Sequence, residues 1–143
     1  MRFIVMVKAS KDSEAGVMPT ELELAEMGRF NDELVKAGVM LAGEGLHPSS
    51  KGTRISYAGS KRTVRDGPFT ETKELVAGFW IWQTKTKAEA LEWAKRAPFR
   101  DGEVEIRQVF EADDFGEALT PEVRAQYERQ RAAIEKNQQR PRA

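Results

Sequence analysis

Residues 76–82 (VAGFWIW) form the most apolar stretch of the chain and constrain its fold more than any other feature. Apolar residues follow one another here without polar alternation, a pattern typical of a strand whose two faces are both covered. Residues 3–7 form a second unbroken run of β-favouring residues. Burial of apolar surface stabilises a fold by roughly 25 cal/mol per Å². A sheet that contains these two strands therefore needs cover on both sides.

Two helices are predicted, and each begins with the spacing of a capping box. In Thr20 and Glu23, and again in Thr86 and Glu89, the hydroxyl can accept from the amide three residues later while the carboxylate reaches back to the amide of the threonine. Gly38 fits the left-handed position just past the first helix. The expected helices span residues 20–37 and 86–96, with Leu24, Met27, Phe30, Leu34 and Ala37 inward in the first and Ala90, Leu91, Ala94 and Ala97 inward in the second.

The remaining strands complete a recognisable order of elements. They are expected over residues 39–46, over 53–58 and 62–66 as a charged peripheral hairpin, and over the alternating stretch 103–107. The order strand, helix, strand, inserted hairpin, strand, helix, strand predicts an α+β fold. This order of elements is typical of a ferredoxin-like βαββαβ unit, which has an antiparallel four-stranded sheet and both helices on one face.

Two helices on one face leave the opposite face of the sheet uncovered. Trp80 or Trp82, left in water with its neighbours, would expose a large apolar patch. The simplest cover is a second copy of the same sheet. We therefore predict a homodimer through the sheet face, closed into a dimeric α+β barrel. The alternative cover is the chain's own C-terminal helix, which is too polar to serve alone.

The composition changes after Phe110, where acidic residues become frequent. Thr120-Pro121 is a good helix start because proline suits the first helical position. We expect this helix to run to about Lys136, with residues 137–143 disordered. The predicted division is a ferredoxin-like domain over residues 1–115 and a C-terminal helical extension with a disordered tail over residues 116–143.

Composition and charge exclude several kinds of partner and cofactor. Lys and Arg together number 23, as do Asp and Glu, so no net field attracts nucleic acid or an anionic membrane. The absence of cysteine excludes disulfides, thiolate catalysis and Cys-based metal sites, and His47 as the only histidine excludes a two-His metal site within one subunit. No apolar run approaches the roughly 20 residues that span a bilayer. We expect a cytoplasmic, single-domain-sized protein with no cofactor and no metal.

The connection Asp66-Gly67-Pro68-Phe69 predicts a sharp, well-defined turn. Gly67 can take a positive φ, and Pro68 fixes its own φ and moves Gly67 out of the right-handed helical region. A turn this rigid can hold Asp66, Glu71 and Lys73 in fixed directions. The alternative is that it is only a stiff connector, which is the commoner role of an Asp-Gly turn.

Three residues are candidate catalytic groups. His47 is of the residue type most often used as a general acid or base, and its backbone direction is defined by the glycine-flanked strand before it and Pro48 after it. Asp66 is either a base, a partner of His47, or the acceptor that tightens its own turn. Glu44 lies between Gly43 and Gly45, which let another backbone or a ligand approach closely, and it is a candidate acid or base if it points into the dimer core. The alternatives are a surface histidine and a solvated glutamate.

The candidate substrate-binding residues surround the same turn. Arg54 and Lys73 can clamp a substrate carboxylate, the arginine through a bidentate fork. Phe69 is the aromatic residue of the turn and completes this set. The alternative is that Arg54 and Lys73 bind no substrate and are surface charges, which Glu71 and Glu74 balance.

Several of these stretches together resemble the YCII-related family, specifically the branch named for its Asp-Gly-Pro-Phe motif. The resemblance covers residues 1 to about 115. The stretches that carry it are residues 3–7, 30–34 (FNDEL), 37–39 (AGV), 43–48 (GEGLHP), 66–74 (DGPFTETKE), 78–80 (GFW) and 90–94 (ALEWA).

The resemblance implies a bacterial protein with a dimeric α+β barrel fold, and it implies no particular activity. Some members are similar in gene context to bacterial sigma-factor systems. Relatives elsewhere in the superfamily act on small cyclic compounds, including muconolactone-type substrates. In better-known members a helical histidine and a nearby aspartate are proposed as an acid–base pair. The corresponding positions here are Met27 and Lys36, so this pair is not carried over.

Two functional hypotheses follow. The first is general acid–base catalysis on a small anionic or cyclic metabolite, with His47, Asp66 and Glu44 in a pocket between the helices, the sheet and the hairpin. The second is a non-catalytic module that binds a small ligand or a protein partner. The enzyme requires a concave pocket lined by His47 or Glu44, whereas the binding module requires only an apolar cavity or groove with His47 in solvent.

Overall fold

A computed structural model describes residues 1–142, and Ala143, the last residue of the expected disordered tail, lies outside the described part. The elements in chain order are β1 (Arg2–Lys8), α1 (Lys11–Glu14), α2 (Glu21–Lys36), β2 (Met40–Gly45), β3 (Thr53–Ala58), β4 (Lys61–Asp66), β5 (Val76–Gln83), α3 (Lys87–Lys95), β6 (Val104–Gln108) and α4 (Pro121–Gln139).

The main sheet has four strands in the order β2-β5-β1-β6, and every neighbouring pair is antiparallel. β3 and β4 form a separate two-stranded sheet, which lies between β2 and β5 in the sequence. This is the strand order of a ferredoxin-like βαββαβ fold with an inserted hairpin. The predicted fold class is confirmed.

The capping signals position both helices of this fold. The Glu23 amide donates to the Thr20 hydroxyl over 3.2 Å, and the Thr20 amide donates to the Glu23 carboxylate over 2.9 Å. Gly38 takes φ +72° just after α2, as predicted. At α3, the Thr86 hydroxyl accepts from the Glu89 amide. The Glu89 carboxylate does not accept from the Thr86 amide. It accepts instead from the amide of Lys85, one residue before Thr86, so the second capping box is only half formed.

The core lies between the helices and one face of the sheet. Trp80 and Trp82 project from β5 into it, and Phe30 of α2 meets both indoles edge-on, with ring centroids 5.9 and 6.4 Å apart. Val5 and Leu34 are fully buried beside them. Edge-to-face contact between aromatic rings adds to the stabilisation from area burial. The aromatic residues of the most apolar strand therefore fix where α2 lies on the sheet.

Three residues of the predicted core, Leu24, Ala37 and Leu91, are exposed. Leu91 is 39% exposed and Leu24 is 59% exposed, although the helical pattern placed both inward. Trp93 packs against the core from α3 in the place expected for Leu91. The apolar stripe of α3 contains more apolar side chains than the sheet can cover. The indole of Trp93, which is larger than the side chain of Leu91, packs against the core, and Leu91 stays exposed.

The opposite face of the sheet carries a strip of apolar side chains. Ile4 is opposite Ile81 and Met6 is opposite Phe79 across β1 and β5, and all four are half-buried. Strand alternation directs them away from α2 and α3. We call these four residues the second face. The prediction that both faces of the sheet are apolar holds. Trp80 and Trp82 do not belong to the second face, because both lie in the core under α2 and α3.

The chain divides into two compact units, Met1–Val109 and the part from Phe110 onward. In the second unit the rings of Phe110 and Phe115 stack with centroids 5.2 Å apart, and Arg124 donates to Asp113 over 2.8 Å. Helix α4 ends at Gln139, beyond the end expected near Lys136. Of the helices in residues 1–142, none is long and apolar enough to cross a membrane. The domain boundary at residue 115 stays a prediction.

Candidate functional site

A cavity of about 290 Å³ lies between α2 and the sheet. Met27 and Asn31 face it from successive turns of α2, and Trp80 lines it from β5. Val7 and Phe99 complete an apolar wall. The rings of Trp80 and Phe99 meet edge-on with centroids 6.1 Å apart. The cavity therefore presents two aromatic rings and one amide to whatever occupies it.

Glycines on two neighbouring strands create this space. Gly45 is directly opposite Gly78, and Gly43 is opposite Trp80, so all three lie on the helix side of the sheet. A Cβ added at Gly45 would meet no atom within 4 Å, because it would enter open space. A Cβ at Gly43 would lie 2.8 Å from the Trp80 ring. The sequence indicated the two β2 glycines as a point of close approach, and Gly78 completes the set.

Asn31 is the polar group at the centre of the α2 wall. The Trp80 indole N–H donates to its Oδ1 over 3.0 Å. Because an indole nitrogen is only a donor, this bond places the carboxamide oxygen toward Trp80 and leaves the NH₂ end for other acceptors. Sequence reasoning missed Asn31 as a site residue. The available signal was its spacing of four from Met27, which puts a polar residue on the inward stripe.

Met27 lines the cavity at the position where the family resemblance places a catalytic histidine. A thioether has no titratable proton, so this position binds apolar surface and does not move a proton. The wall that α2 presents is therefore apolar apart from Asn31.

Glu44 lines the cavity and is the only ionisable side chain among the described residues that do so. Its register partner is Phe79, so strand alternation directs its side chain toward the second face rather than toward α2. It is exposed within the single chain. Glu44 thus lies at the edge of the cavity, on the side of the sheet away from α2 and α3.

The structure does not bring His47 and Asp66 to this cavity. His47 is exposed in the connection after β2. Asp66 accepts from the Thr53 hydroxyl over 2.9 Å, its direct cross-strand neighbour at the base of the hairpin. Within residues 1–142, no hydrogen bond joins His47 to Asp66 or Glu44. Asp66 thus accepts a hydrogen bond within its own hairpin, and a catalytic role for it stays a prediction.

The turn that contains Gly67 is fixed by close backbone contact. The peptide bond before Pro68 is cis, and Gly67 does not have the positive φ that we expected. Glycine is required for a different reason, because a Cβ here would lie 1.8 Å from the Ser49 carbonyl oxygen. The Gly67 amide donates to the Gly52 carbonyl over 2.9 Å, which holds the two connections together.

Ser49 links this turn to the N-terminal part of the chain. The Phe69 amide donates to the Ser49 hydroxyl over 3.0 Å, and that hydroxyl donates to the Glu14 carboxylate over 2.5 Å. The Ser49 amide donates to the other carboxylate oxygen over 3.0 Å. Glu14 was not singled out from the sequence, because nothing local to it indicates a partner 35 residues away.

The candidate substrate-binding residues occupy two different places. The Arg54 guanidinium carbon lies 3.8 Å from the centroid of the Phe69 ring, and Arg65 lies 5.5 Å from the same centroid. These three residues line one pocket of about 250 Å³. Lys73 lines a separate groove together with Lys11. The structure therefore joins Arg54 with Arg65 rather than with Lys73.

Residues 1–142 contain no group of three or more His, Asp or Glu side chains arranged to hold a metal ion.

Comparison with known proteins locates the chain within a family. The model of the YCII-related domain matches residues 1–113. An uncharacterised protein of Rhizobium meliloti (strain 1021) is 28% identical over 75 residues, which span 52% of this chain and 60% of that relative. The match thus spans less than two thirds of the curated relative's length. Membership of the branch named for the Asp-Gly-Pro-Phe motif stays a prediction.

A solved structure of 5-chloro-2-hydroxyhydroquinone dehydrochlorinase from Burkholderia phenoliruptrix AC1100, in complex with 2,5-dihydroxybenzoquinone, is also similar. It is 12% identical, with a TM-score of 0.43 over 77% of this chain and 94% of that chain. Similarity at this level does not extend to the ligand or to the reaction.

Proposed function

This chain belongs to the YCII-related family, and we propose that it is a homodimeric protein that binds a small ring compound in the cavity between α2 and the sheet. The observation that carries the proposal is the cavity itself. Ligand sites in proteins are concave, mostly apolar and supplied with a few fixed polar groups. A volume of about 290 Å³ is at the small end of that class.

The lining indicates the chemistry of the ligand. Trp80 and Phe99 offer aromatic surface, which favours a flat ring through stacked or edge-on contact. Asn31 offers the N–H donors of its NH₂ group, whose direction the bond from Trp80 to Oδ1 fixes. A ring that carries a carbonyl or hydroxyl oxygen satisfies both. We therefore propose a cyclic compound such as a lactone or a phenol, held by its ring and oriented through one oxygen.

The dimer is proposed from the second face. Ile4, Met6, Phe79 and Ile81 form a continuous apolar strip across β1 and β5, on the side away from α2 and α3. Pairing this strip with its copy in another chain would remove it from water, at roughly 25 cal/mol per Å² of apolar surface. A two-fold contact of this kind is self-complementary, because each strip meets the same strip.

A second candidate function is acid–base catalysis by Glu44. The observation in its favour is that Glu44 lines the cavity and lies on the side of the sheet that the proposed partner would cover. A single carboxylate can remove a proton from one carbon of a bound ring and return it to another, which isomerises the compound without an oxidant or reductant. In this candidate His47 and Asp66 have no part.

Binding is tested by filling the cavity. Gly45→Val adds a β-favouring side chain where no atom lies within 4 Å. We expect the variant to fold and to lose ligands of the cavity. Gly28→Ala, on α2 and also in open space, is the matched control. Small lactones and phenols are screened by thermal shift against all three proteins, and hits are measured by calorimetry.

The proposal predicts hits that bind wild type and Gly28→Ala alike and bind Gly45→Val about tenfold more weakly or not at all. Hits that bind Gly45→Val as tightly as wild type would contradict it, as would the absence of any hit. Glu44→Gln separates the two candidates. If Glu44 is catalytic, this variant keeps binding and loses turnover of a lactone that wild type isomerises.

A further inference from the structure

The hairpin formed by β3 and β4 presents two opposed arginines. Arg54 and Arg65 are direct cross-strand partners, so their side chains leave the same face of the hairpin side by side. Like charges directly opposite each other destabilise a strand pair. Both residues are exposed, and neither takes part in any ion pair within the described part of the chain. The fold thus tolerates two adjacent cations that have no ion-pair partner among residues 1–142.

Phe69 holds these two cations in place. Its ring lies under both guanidinium groups, at 3.8 Å from Arg54 and 5.5 Å from Arg65, within the range of cation–π attraction. A guanidinium that stacks on an aromatic ring through its face keeps its edge N–H groups free to donate. The pair therefore presents directed donors rather than two mobile charges.

The ring is itself anchored by the turn. The Phe69 amide donates to Ser49, which the Glu14 carboxylate holds through two hydrogen bonds. Gly67 is packed against the Ser49 carbonyl too closely for any side chain. A platform fixed at this many points is pre-organised, and pre-organisation lowers the entropy cost of binding.

From these observations we propose that Arg54, Arg65 and Phe69 form a second ligand site, which binds the carboxylate group of a small molecule. The site lies in the pocket of about 250 Å³ that these residues line. Guanidinium groups bind planar carboxylates through paired N–H donors. This site is separate from the cavity beside α2 and does not depend on the function proposed for it.

The local charge favours a carboxylate over a phosphate. Glu71 lines the same pocket, so two guanidinium charges and one carboxylate charge leave a net charge of +1. A carboxylate monoanion makes the local charge neutral, whereas a phosphate dianion leaves it at a net −1 and is repelled by Glu71 more strongly. Thr70 lines the pocket as well and supplies one neutral hydroxyl.

Benzoate is a suitable test ligand, with benzamide as its neutral counterpart of the same shape. Both are titrated by calorimetry at fixed ionic strength into the full chain carrying Gly45→Val, so that benzoate held by the cavity is not counted. The variants are Arg54→Gln and Arg65→Gln. The matched control is Arg62→Gln, because Arg62 lies over Tyr57 on the opposite face of the same hairpin.

We expect benzoate to bind and benzamide not to bind. Arg54→Gln and Arg65→Gln should each weaken benzoate about tenfold or more, and Arg62→Gln should leave it within about twofold of the parent. Inorganic phosphate should bind more weakly than benzoate and gain affinity in Glu71→Gln. The proposal is overturned if benzamide binds as well as benzoate, if Arg62→Gln weakens benzoate as much as Arg65→Gln does, or if benzoate does not bind at all.

Discussion

Gly67 illustrates how one residue can be required for a reason that its local sequence does not reveal. Its backbone lies against the Ser49 carbonyl, 1.8 Å from where a Cβ would be. We predict that Gly67→Ala lowers the free energy of unfolding by about 3 kcal/mol or more, because the turn must move to admit a methyl group. Urea unfolding followed by circular dichroism measures this loss.

The control for Gly67→Ala is Gly28→Ala, which makes the same chemical change in open space on a helix. Replacement of a helical glycine by alanine should raise the free energy of unfolding by up to about 1 kcal/mol. If Gly67→Ala and Gly28→Ala changed stability in the same direction, the close contact at Gly67 would not be the reason for its glycine.

Asn31 has two roles that different substitutions separate. Asn31→Leu removes the acceptor of the Trp80 indole and should cost about 1–3 kcal/mol of stability, because a partly buried N–H loses its partner. Asn31→Asp keeps an acceptor for Trp80 but loses the NH₂ donor. We predict that Asn31→Asp unfolds close to wild type yet binds carbonyl-bearing ligands of the cavity more weakly, as measured by thermal unfolding and calorimetry. Equal ligand binding by Asn31→Asp and wild type would remove Asn31 from the site.

The sequence predicted some of the residues that form the two sites and missed others. It identified Gly43 and Gly45 as points of close approach and Arg54 and Phe69 as neighbours of one turn. It did not identify Asn31, whose partner Trp80 is far away in the chain, or Arg65, whose place opposite Arg54 depends on the register of the hairpin. His47 was singled out for its intrinsic chemistry, which says nothing of where the fold places it, and it is exposed.

At the scale of elements, the hairpin of β3 and β4 depends on its anchors. All of its strand residues are exposed, and an isolated two-stranded hairpin is marginal in water. Ser49 connects it to Glu14 and to Phe69. We predict that Ser49→Ala speeds amide hydrogen exchange throughout β3 and β4 while β1 and β5 stay protected.

The comparison that makes the Ser49 experiment specific is Ser56→Ala, an exposed serine within β3 that takes part in none of these bonds. Exchange in Ser56→Ala should match wild type. Unchanged exchange of the hairpin in Ser49→Ala would show that Ser49 does not anchor it, and faster exchange everywhere would indicate loss of global stability instead.

Elements were the scale at which sequence reasoning succeeded best. Capping residues act within one turn, so Thr20 and Gly38 could be interpreted without knowledge of the rest of the fold. The exposed Leu24 and Leu91 were mistaken for core, because periodicity alone does not reveal how far the sheet extends beneath a helix. The order of elements along the chain matches the ferredoxin-like pattern, and the strand order of the sheet is the one that this pattern has.

At the scale of the whole molecule, the sheet has two apolar faces, and α2 and α3 both lie on the same one. α2 and α3 cover the tryptophans, and the second face of Ile4, Met6, Phe79 and Ile81 lies on the other side. We predict that Ile81→Lys prevents self-association, because two-fold pairing would bring the new charges together in an apolar contact. Ile55→Lys on the exposed hairpin is the control and should leave self-association unchanged.

The measurement that tests the paired-sheet arrangement most directly is sedimentation equilibrium at micromolar concentration. The chain has a mass of 16.1 kDa. We predict about twice this mass, for wild type and Ile55→Lys alike, and 16.1 kDa for Ile81→Lys with its circular dichroism preserved. A wild-type protein that sediments at 16.1 kDa while fully folded would contradict the pairing of second faces.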